Sequence, residues 1–412
     1  MTKPGLLSNP FIYGQVLLPG RPFCPRPDLE AAVLQTANDN ARIVLLGDRR
    51  MGKSSLAEHT LGSGTRILIP VDLRGLDSVE DFIDRLLLRL STKLHEHSLI
   101  AKHLPAALKD ALAFVAELRL NIGGILEIQA RAKVKASTVI QAMNAVERAS
   151  QWRPIVVFFD EFQEIVENLD EKAARHLLGV LRGEIQRQHH VAYIFAGSAR
   201  SSMLDLFTAQ ESHFYQSAAI LEVGPIPRAD MSAFLVAQFA RGGRDIENEA
   251  VQVIFALAGD SPSDQQQFAY HLWTQSTPDN IGLPELRRAF AALMAEVSRR
   301  GDVILDEATP AQRRALFAVA VRENEEFARD GFLRFAGFGQ HSSLASAIRP
   351  FLKGNNAILE KRGSKVRYRE RFMRLWILLQ VMRNPSMFPA ARREQPDAEY
   401  SLLLPYLADA LH

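Results

Sequence analysis

At 412 residues, with 47% hydrophobic and 23% charged side chains, the chain has the make-up of a folded globular protein and exceeds what one hydrophobic core normally serves, so two or three domains are expected. A formal net charge of +2 does not mark a nucleic-acid binder, and the single cysteine, Cys24, excludes an internal disulfide framework or a cysteine-rich zinc site and fits a reducing compartment. No apolar run approaches a membrane span and the Pro- and Gly-containing start lacks a sustained apolar stretch, so the expectation is a cytoplasmic protein with no membrane attachment.

Pro and Gly recur as far as Pro27, after which Asp28 to Ala41 read as a helix with Leu29, Ala32, Val33 and Ala37 apolar. Ile43-Val44-Leu45-Leu46, stopped by Gly47, reads as a buried parallel strand entering a loop, with a helix from Ser54 to His59 behind it. Arg66 to Leu73 reads as a second strand, and Val79 to His95 as an amphipathic helix carrying Phe82, Leu86, Leu87 and Leu90 at helical spacing. Residues 97 to 150 are expected to be mostly helical, broken at Gly123-Gly124. Strands follow at Ile155 to Phe159, ending on Asp160, at Val191 to Ala196, ending on Gly197, and at Ala219 to Val223. Strands alternating with helices predict an α/β fold with a mostly parallel sheet covered on both faces.

After Pro227 the pattern turns purely helical up to about residue 300. Helices around 310 to 328 and 342 to 353 then precede Ala357 to Arg369, two short strands about Gly363-Ser364, which is the order of a winged helix. The expected organisation is an N-terminal segment 1–40, an α/β core 41–226, a helical lid 227–300, a winged-helix domain 301–385 and a tail 386–412 with an apolar helix candidate from Tyr400 to Leu411.

Gly47-Asp48-Arg49-Arg50-Met51-Gly52-Lys53-Ser54, followed by Ser55, has the complete spacing of a phosphate-binding loop. The glycines let the backbone wrap the phosphates, and its N–H groups and the helix N-terminus bind the anion. Lys53 is suited to bridge the β- and γ-oxygens, and the Ser54 hydroxyl to ligate Mg²⁺. The strand from Ile155 would deliver Asp160 to the Mg²⁺ sphere and, one residue on, Glu161 to polarise the attacking water. The fourth strand ends at Gly197-Ser198-Ala199-Arg200, where Ser198 or Arg200 could sit between the two motifs and sense the γ-phosphate; a helix cap at Ser198 and a solvated Arg200 is the alternative.

This order resembles the STAND class of P-loop ATPases, and most closely its archaeal-type ATPase group within the AAA-like branch. The loop Gly47 to Leu56 is similar to that group's Gly-x-Arg-Arg-x-Gly-Lys-Thr-Ser-Leu. Phe23 to Glu30 is similar to its Phe-x-Gly-Arg-x-x-Glu-Leu element, with Pro25 in place of the glycine; the resemblance implies that this element, with Arg26, helps hold adenine. Gly259-Asp260-Ser261-Pro262 resembles the Gly-x-Pro of the lid, one residue longer, which implies a place for Pro262 near the base. Val366 to Trp376 resembles the ending of the group's winged helix, with Glu370-Arg371 where the group has Asp-Pro. The resemblance spans about residues 20 to 380 and implies ATP or ADP with Mg²⁺ as ligands, and a lid that closes on the core when they bind.

From Arg349 to Arg374 there are nine Lys or Arg against two acids. Arg349, Lys353, Lys361, Arg362, Lys365, Arg367 and Arg369 could lie on DNA phosphates, or they could form the solvated side of a hairpin that serves as a nucleotide-state sensor. His189-His190 and His271 lack ligand spacing and read as loop and helix residues, and Phe158, Phe159 and Phe162 read as core. The expected function is an ATP-binding and ATP-hydrolysing switch with a protein partner or DNA, and with nucleotide-dependent oligomerisation if a neighbour supplies an arginine. Two other readings stand beside it. One is a DNA-directed ATPase of the origin-recognition or transposition-helper kind, and the other a non-hydrolysing scaffold of a defence or toxin module.

Overall fold

The computed structural model describes residues 8–100, 113–117, 136–276, 281–323, 325–353 and 357–383. Gly123-Gly124 and the helix candidate from Tyr400 to Leu411 lie outside them. The chain divides into two compact units, Gln15–Pro225 and Ile226–His412 together with Met1–Gly14.

The first unit is built on a five-stranded sheet of β1 (Arg42–Leu46), β2 (Ile67–Asp72), β3 (Ile155–Asp160), β4 (Val191–Gly197) and β5 (Ala219–Glu222), in the order β2-β3-β4-β1-β5 with all pairs parallel. Around it lie α1 (Pro27–Asn38), α2 (Lys53–Leu61), α3 (Val79–Ile100), α4 (Ala136–Ser150), α5 (Glu164–Asn168), α6 (Glu171–Arg187) and α7 (Arg200–Thr208), with a helical stretch at 113–117. The runs are apolar throughout because both faces are covered, and alternate residues feed two separate cores. Val44, Ile155, Val157, Phe159, Tyr193 and Phe195 belong to the core that includes Phe82, Leu86, Leu87 and Leu90 of α3. Ile43, Leu45, Val156, Phe158, Ala192 and Ile194 belong to the other, with Val33 of α1 and Leu56 of α2. Phe158, Phe159 and Phe162 are core residues, as their sequence context predicts. Helix α1 stops at Asn38, short of the expected Ala41, because Asn40 takes a positive φ of 50° and turns the chain into β1.

The second unit holds α8 (Arg228–Arg241), α9 (Asn248–Ala258), α10 (Pro262–Gln275), α11 (Leu283–Glu307), α12 (Pro310–Val321), α13 (Asp330–Phe335), α14 (His341–Ile348) and α15 (Arg371–Arg383). A hairpin of β6 (Leu359–Arg362) and β7 (Lys365–Tyr368) turns at Gly363-Ser364. The expected helix 310–328 is shorter, closed at Val321, and α13 follows as a separate element; the helix expected over 342–353 ends at Ile348 and continues only as a 3₁₀ turn to Phe351. Helix α11 runs unbroken through residue 300. The chain's start belongs to this unit: Phe11 packs on Phe239 and Trp273, with ring centroids 4.7 and 6.3 Å apart, and the Tyr13 hydroxyl donates to Glu296. Glu296 also faces His271, 3.1 Å away, so that histidine is part of the packing between α10 and α11. His189 and His190 are exposed in the turn before β4. Among the described residues no helix is long and apolar enough to cross a membrane.

Candidate nucleotide site

The sheet order sets the site. β1 lies between β4 and β5, and β4 separates β1 from β3, so the loop after β1 and the acidic pair after β3 emerge on the same edge with the end of β4 between them. This is where ligands bind in parallel α/β sheets, outside the carboxyl ends of the strands. The turn from β1 into α2 needs two left-handed residues, Arg50 at φ 67° and Gly52 at φ 85°. Gly52 immediately precedes Lys53, the first residue of α2. In that conformation a side chain is strained, which accounts for glycine at this place in the loop.

Lys53 is 6% exposed, and its Nζ donates to the carbonyls of Gly47, at 2.7 Å, and Asp48, at 3.0 Å. Burial pushes its pKa down, with Glu161 and Asp160 opposing that shift. A buried ammonium whose hydrogen bonds go to carbonyl oxygens is poised for a stronger anionic partner. The Ser54 hydroxyl donates to Asp160 Oδ2 at 2.5 Å across 106 residues of sequence, which joins the two motifs as the strand reading predicts. Burial, reinforced by the charge of Glu161, raises the Asp160 carboxyl to about 6 despite the Ser54 hydrogen bond. A serine hydroxyl converging with a buried, undercompensated carboxylate is a hard-oxygen donor set that fits Mg²⁺, which characteristically takes one or two carboxylates and completes its sphere with water and phosphate.

Glu161 is buried with φ at 53°, a non-glycine left-handed backbone that costs on the order of 1–3 kcal/mol and clusters at functional sites. Burial pushes its carboxyl up, but hydrogen bonds from Ser198 and Gln163 and the charges of Lys53 and Arg49 outweigh it, leaving the pKa below the ordinary value. Arg49 Nε in turn donates to Ser198 Oγ at 3.3 Å, so one loop arginine is linked through Ser198 to the acidic pair.

Of the two candidates at the end of β4, only Ser198 joins this cluster. Arg200 is exposed and forms a two-pronged ion pair with Glu222 at the end of β5. The remaining loop-side residues hold the loop itself. Arg26 is buried and donates to Met51 O, at 2.8 Å, and to Gly224 O, pinning the loop to the exit of β5. Ser55 Oγ accepts from the backbone N–H of Leu17 at 3.1 Å. Pro262 opens α10 in the second unit, where Ser261 caps the helix by accepting from Asp264 N.

Two groups escaped the sequence reading. Gln163 donates to Glu161 Oε2 at 2.6 Å. Asp72 closes β2 directly beside Asp160 and binds Arg74, whose hydrogen bonds outweigh the effect of burial and hold its carboxyl below the usual range. The signal for Asp72 was present, since an apolar run ending on aspartate occurs there as it does at Asp160.

Five of the nine basic residues are engaged within the chain. Arg374 is buried against Glu323 and Ala320 O, and Arg371 donates to the carbonyls of Leu257 and Ala256. Arg369 donates to those of Leu359 and Leu352, and Arg362 and Arg367 share Glu360. Arg349, Lys353, Lys361 and Lys365 remain exposed.

No protein-family model matches the chain, and no curated protein matches it. Among solved structures it is similar to a Walker-type ATPase of Pyrococcus abyssi, at 17% identity and a TM-score of 0.60 over 88% of this chain and 98% of that one. Lesser similarities are to the ORC2 protein of Aeropyrum pernix in its ADP form (12% identity, TM-score 0.47, 92% and 97% covered) and to a STAND protein with a tetratricopeptide repeat sensor from Pyrococcus horikoshii (12%, 0.38, 96% and 49%). With its strand order, its loop between β1 and α2 and the match to the Walker-type ATPase over 88% of its length, the protein has a P-loop NTPase α/β fold.

Proposed function

We propose that the protein binds ATP with Mg²⁺ and hydrolyses it as a slow switch whose nucleotide state is read by a protein partner or by DNA. The observation that carries this reading is the 2.5 Å contact between Ser54 Oγ and Asp160 Oδ2, with Lys53 buried beside them and Glu161 next in the chain. In this scheme Lys53 exchanges its carbonyl partners for β- and γ-phosphate oxygens. Ser54 and Asp160 would hold Mg²⁺, and Glu161, oriented by the hydroxyl and backbone N–H of Ser198 that both donate to it, would take a proton from the attacking water. Mg²⁺, when bound, neutralises charge on the phosphates. We assign the helices of 227–300 to a lid carrying Pro262, and 301–385 to a winged helix.

Lys53→Ala should weaken binding of a fluorescent, non-hydrolysable ATP analogue by about 10- to 100-fold, the loss of one or two charge-assisted hydrogen bonds. Equilibrium titration with and without Mg²⁺ checks this, and unchanged affinity would contradict the assignment. Nucleotide retained without turnover would favour the scaffold reading.

A DNA-directed ATPase remains a second reading because Arg349, Lys353, Lys361 and Lys365 leave four exposed cations around the hairpin. If they contact phosphates, replacing all four by alanine should reduce the slope of log affinity for duplex DNA against log salt by about 3–4. An unchanged slope would leave a protein as the partner. Nucleotide-dependent self-association, with an arginine from a neighbouring copy, would appear as a mass change on adding the ATP analogue.

A further inference from the structure

Glu161 is gripped by one oxygen. Its Oε2 accepts from Gln163 Nε2 at 2.6 Å, from Ser198 Oγ at 2.6 Å and from the Ser198 backbone N–H at 3.2 Å, while among the described residues nothing donates a hydrogen bond to Oε1. Three donors on one carboxylate oxygen fix the plane of the group and leave the second oxygen available.

Gln163 has no exposed surface, and its amide oxygen meets no donor. The amide is oriented by the carboxylate, because turning it over would set two acceptors against each other. A fully buried amide whose oxygen meets no donor is an unfavourable way to fill a core, so the position is explained better by what its N–H does for Glu161 than by packing. The surroundings are shaped to admit it. A Cβ on Gly197, at the end of β4, would lie 2.5 Å from Gln163 Oε1 and 2.4 Å from Met203 Cγ, so the amide occupies space that only glycine leaves. The turn that carries both residues is docked on β4 by the hydrogen bond from Phe162 N to Ala196 O, 2.9 Å long.

We propose that Gln163 is a positioning residue: with Ser198 it pins Oε2 of Glu161 and so presents Oε1 as the oxygen that receives the proton of the attacking water. The proposal rests on the reading of Glu161 as the general base. As the water oxygen bonds to the γ-phosphorus, the bond from that phosphorus to the β,γ-bridging oxygen breaks, its electron pair leaves with ADP, and the water's proton moves to Oε1 before passing to solvent. Gln163 gives up no proton and touches neither nucleotide nor water.

The test is a double-mutant cycle in the full chain, with kcat, KM, affinity for the fluorescent ATP analogue and melting temperature measured for wild type, Gln163→Met, Glu161→Gln and the double variant. Gln163→Met should lower kcat about tenfold, the effect of one hydrogen bond to a charged group, with KM and analogue affinity within about twofold of wild type. In the Glu161→Gln background it should cause no further loss. Should the methionine variant not fold, Gln163→Leu removes the donor with another apolar side chain of similar size and gives the same cycle. Unchanged kcat in Gln163→Met, or an equal proportional loss in both backgrounds, would overturn the proposal. A wild-type rate in Glu161→Gln itself would be a different result, removing the base assignment rather than the role of Gln163.

Discussion

Glu161→Gln should lower kcat for ATP by about 10²- to 10⁴-fold while leaving nucleotide affinity near that of wild type. Glutamine keeps the shape of the side chain and can still accept from Ser198 and Gln163 through its amide oxygen, so the buried cluster survives. What it cannot do is take up a proton. The phosphate-side groups Lys53, Ser54 and Asp160 are untouched, and KM should move little. Parallel measurement of single-turnover hydrolysis and analogue binding separates these quantities. A fall in affinity comparable with the fall in rate would mean that Glu161 supports the bound state rather than the chemical step.

Arg374→Ala should destabilise the unit formed by the C-terminal elements by about 3–5 kcal/mol, the usual penalty for stranding one member of a buried ion pair. Arg374 is 5% exposed; its Nη1 lies 3.2 Å from Glu323 Oε2, and its Nε donates to Ala320 O at 2.9 Å, tying α15 to the end of α12. Glu323 Oε1 also accepts from the backbone N–H of Tyr368 on β7 at 2.9 Å, so one arginine organises a helix, a second helix and a strand. Without it the Glu323 carboxylate is left half-compensated in the interior. Replacing both residues by an apolar and an amide side chain, Arg374→Met with Glu323→Gln, should cost clearly less than Arg374→Ala. Urea unfolding followed by tryptophan fluorescence, to which Trp376, buried two residues further along α15, contributes, measures both. Equal losses would show that packing, not charge, is at stake.

The strands were legible because each is an uninterrupted apolar run closed by a polar or glycine residue, a pattern that both faces of a covered sheet impose. The Ser54–Asp160 contact was legible for the same reason, since each residue follows directly from a strand end or its loop. Strand order was not, and Arg200 shows the consequence: its partner Glu222 lies on β5, which a linear reading cannot place two strands away from β4. Long-range apolar contacts were equally hidden. Nothing local in Phe11 announces that it packs on Trp273, 262 positions later. Counting charge could not separate the basic residues by role: Glu360 pairs with two arginines and carbonyl oxygens accept from two more, while Arg349, Lys353, Lys361 and Lys365 are exposed. Gln163 was passed over because its role depends on a turn docking against β4, which only the folded sheet reveals.

The most direct test of the account is steady-state ATP hydrolysis by the purified protein in the presence of Mg²⁺, set against Lys53→Ala and repeated with duplex DNA. The account predicts slow but measurable turnover that Lys53→Ala abolishes; stimulation by DNA would identify the partner, and indifference to it would point to a protein. Turnover that persists in Lys53→Ala, or none in the wild-type protein under any condition, would contradict it.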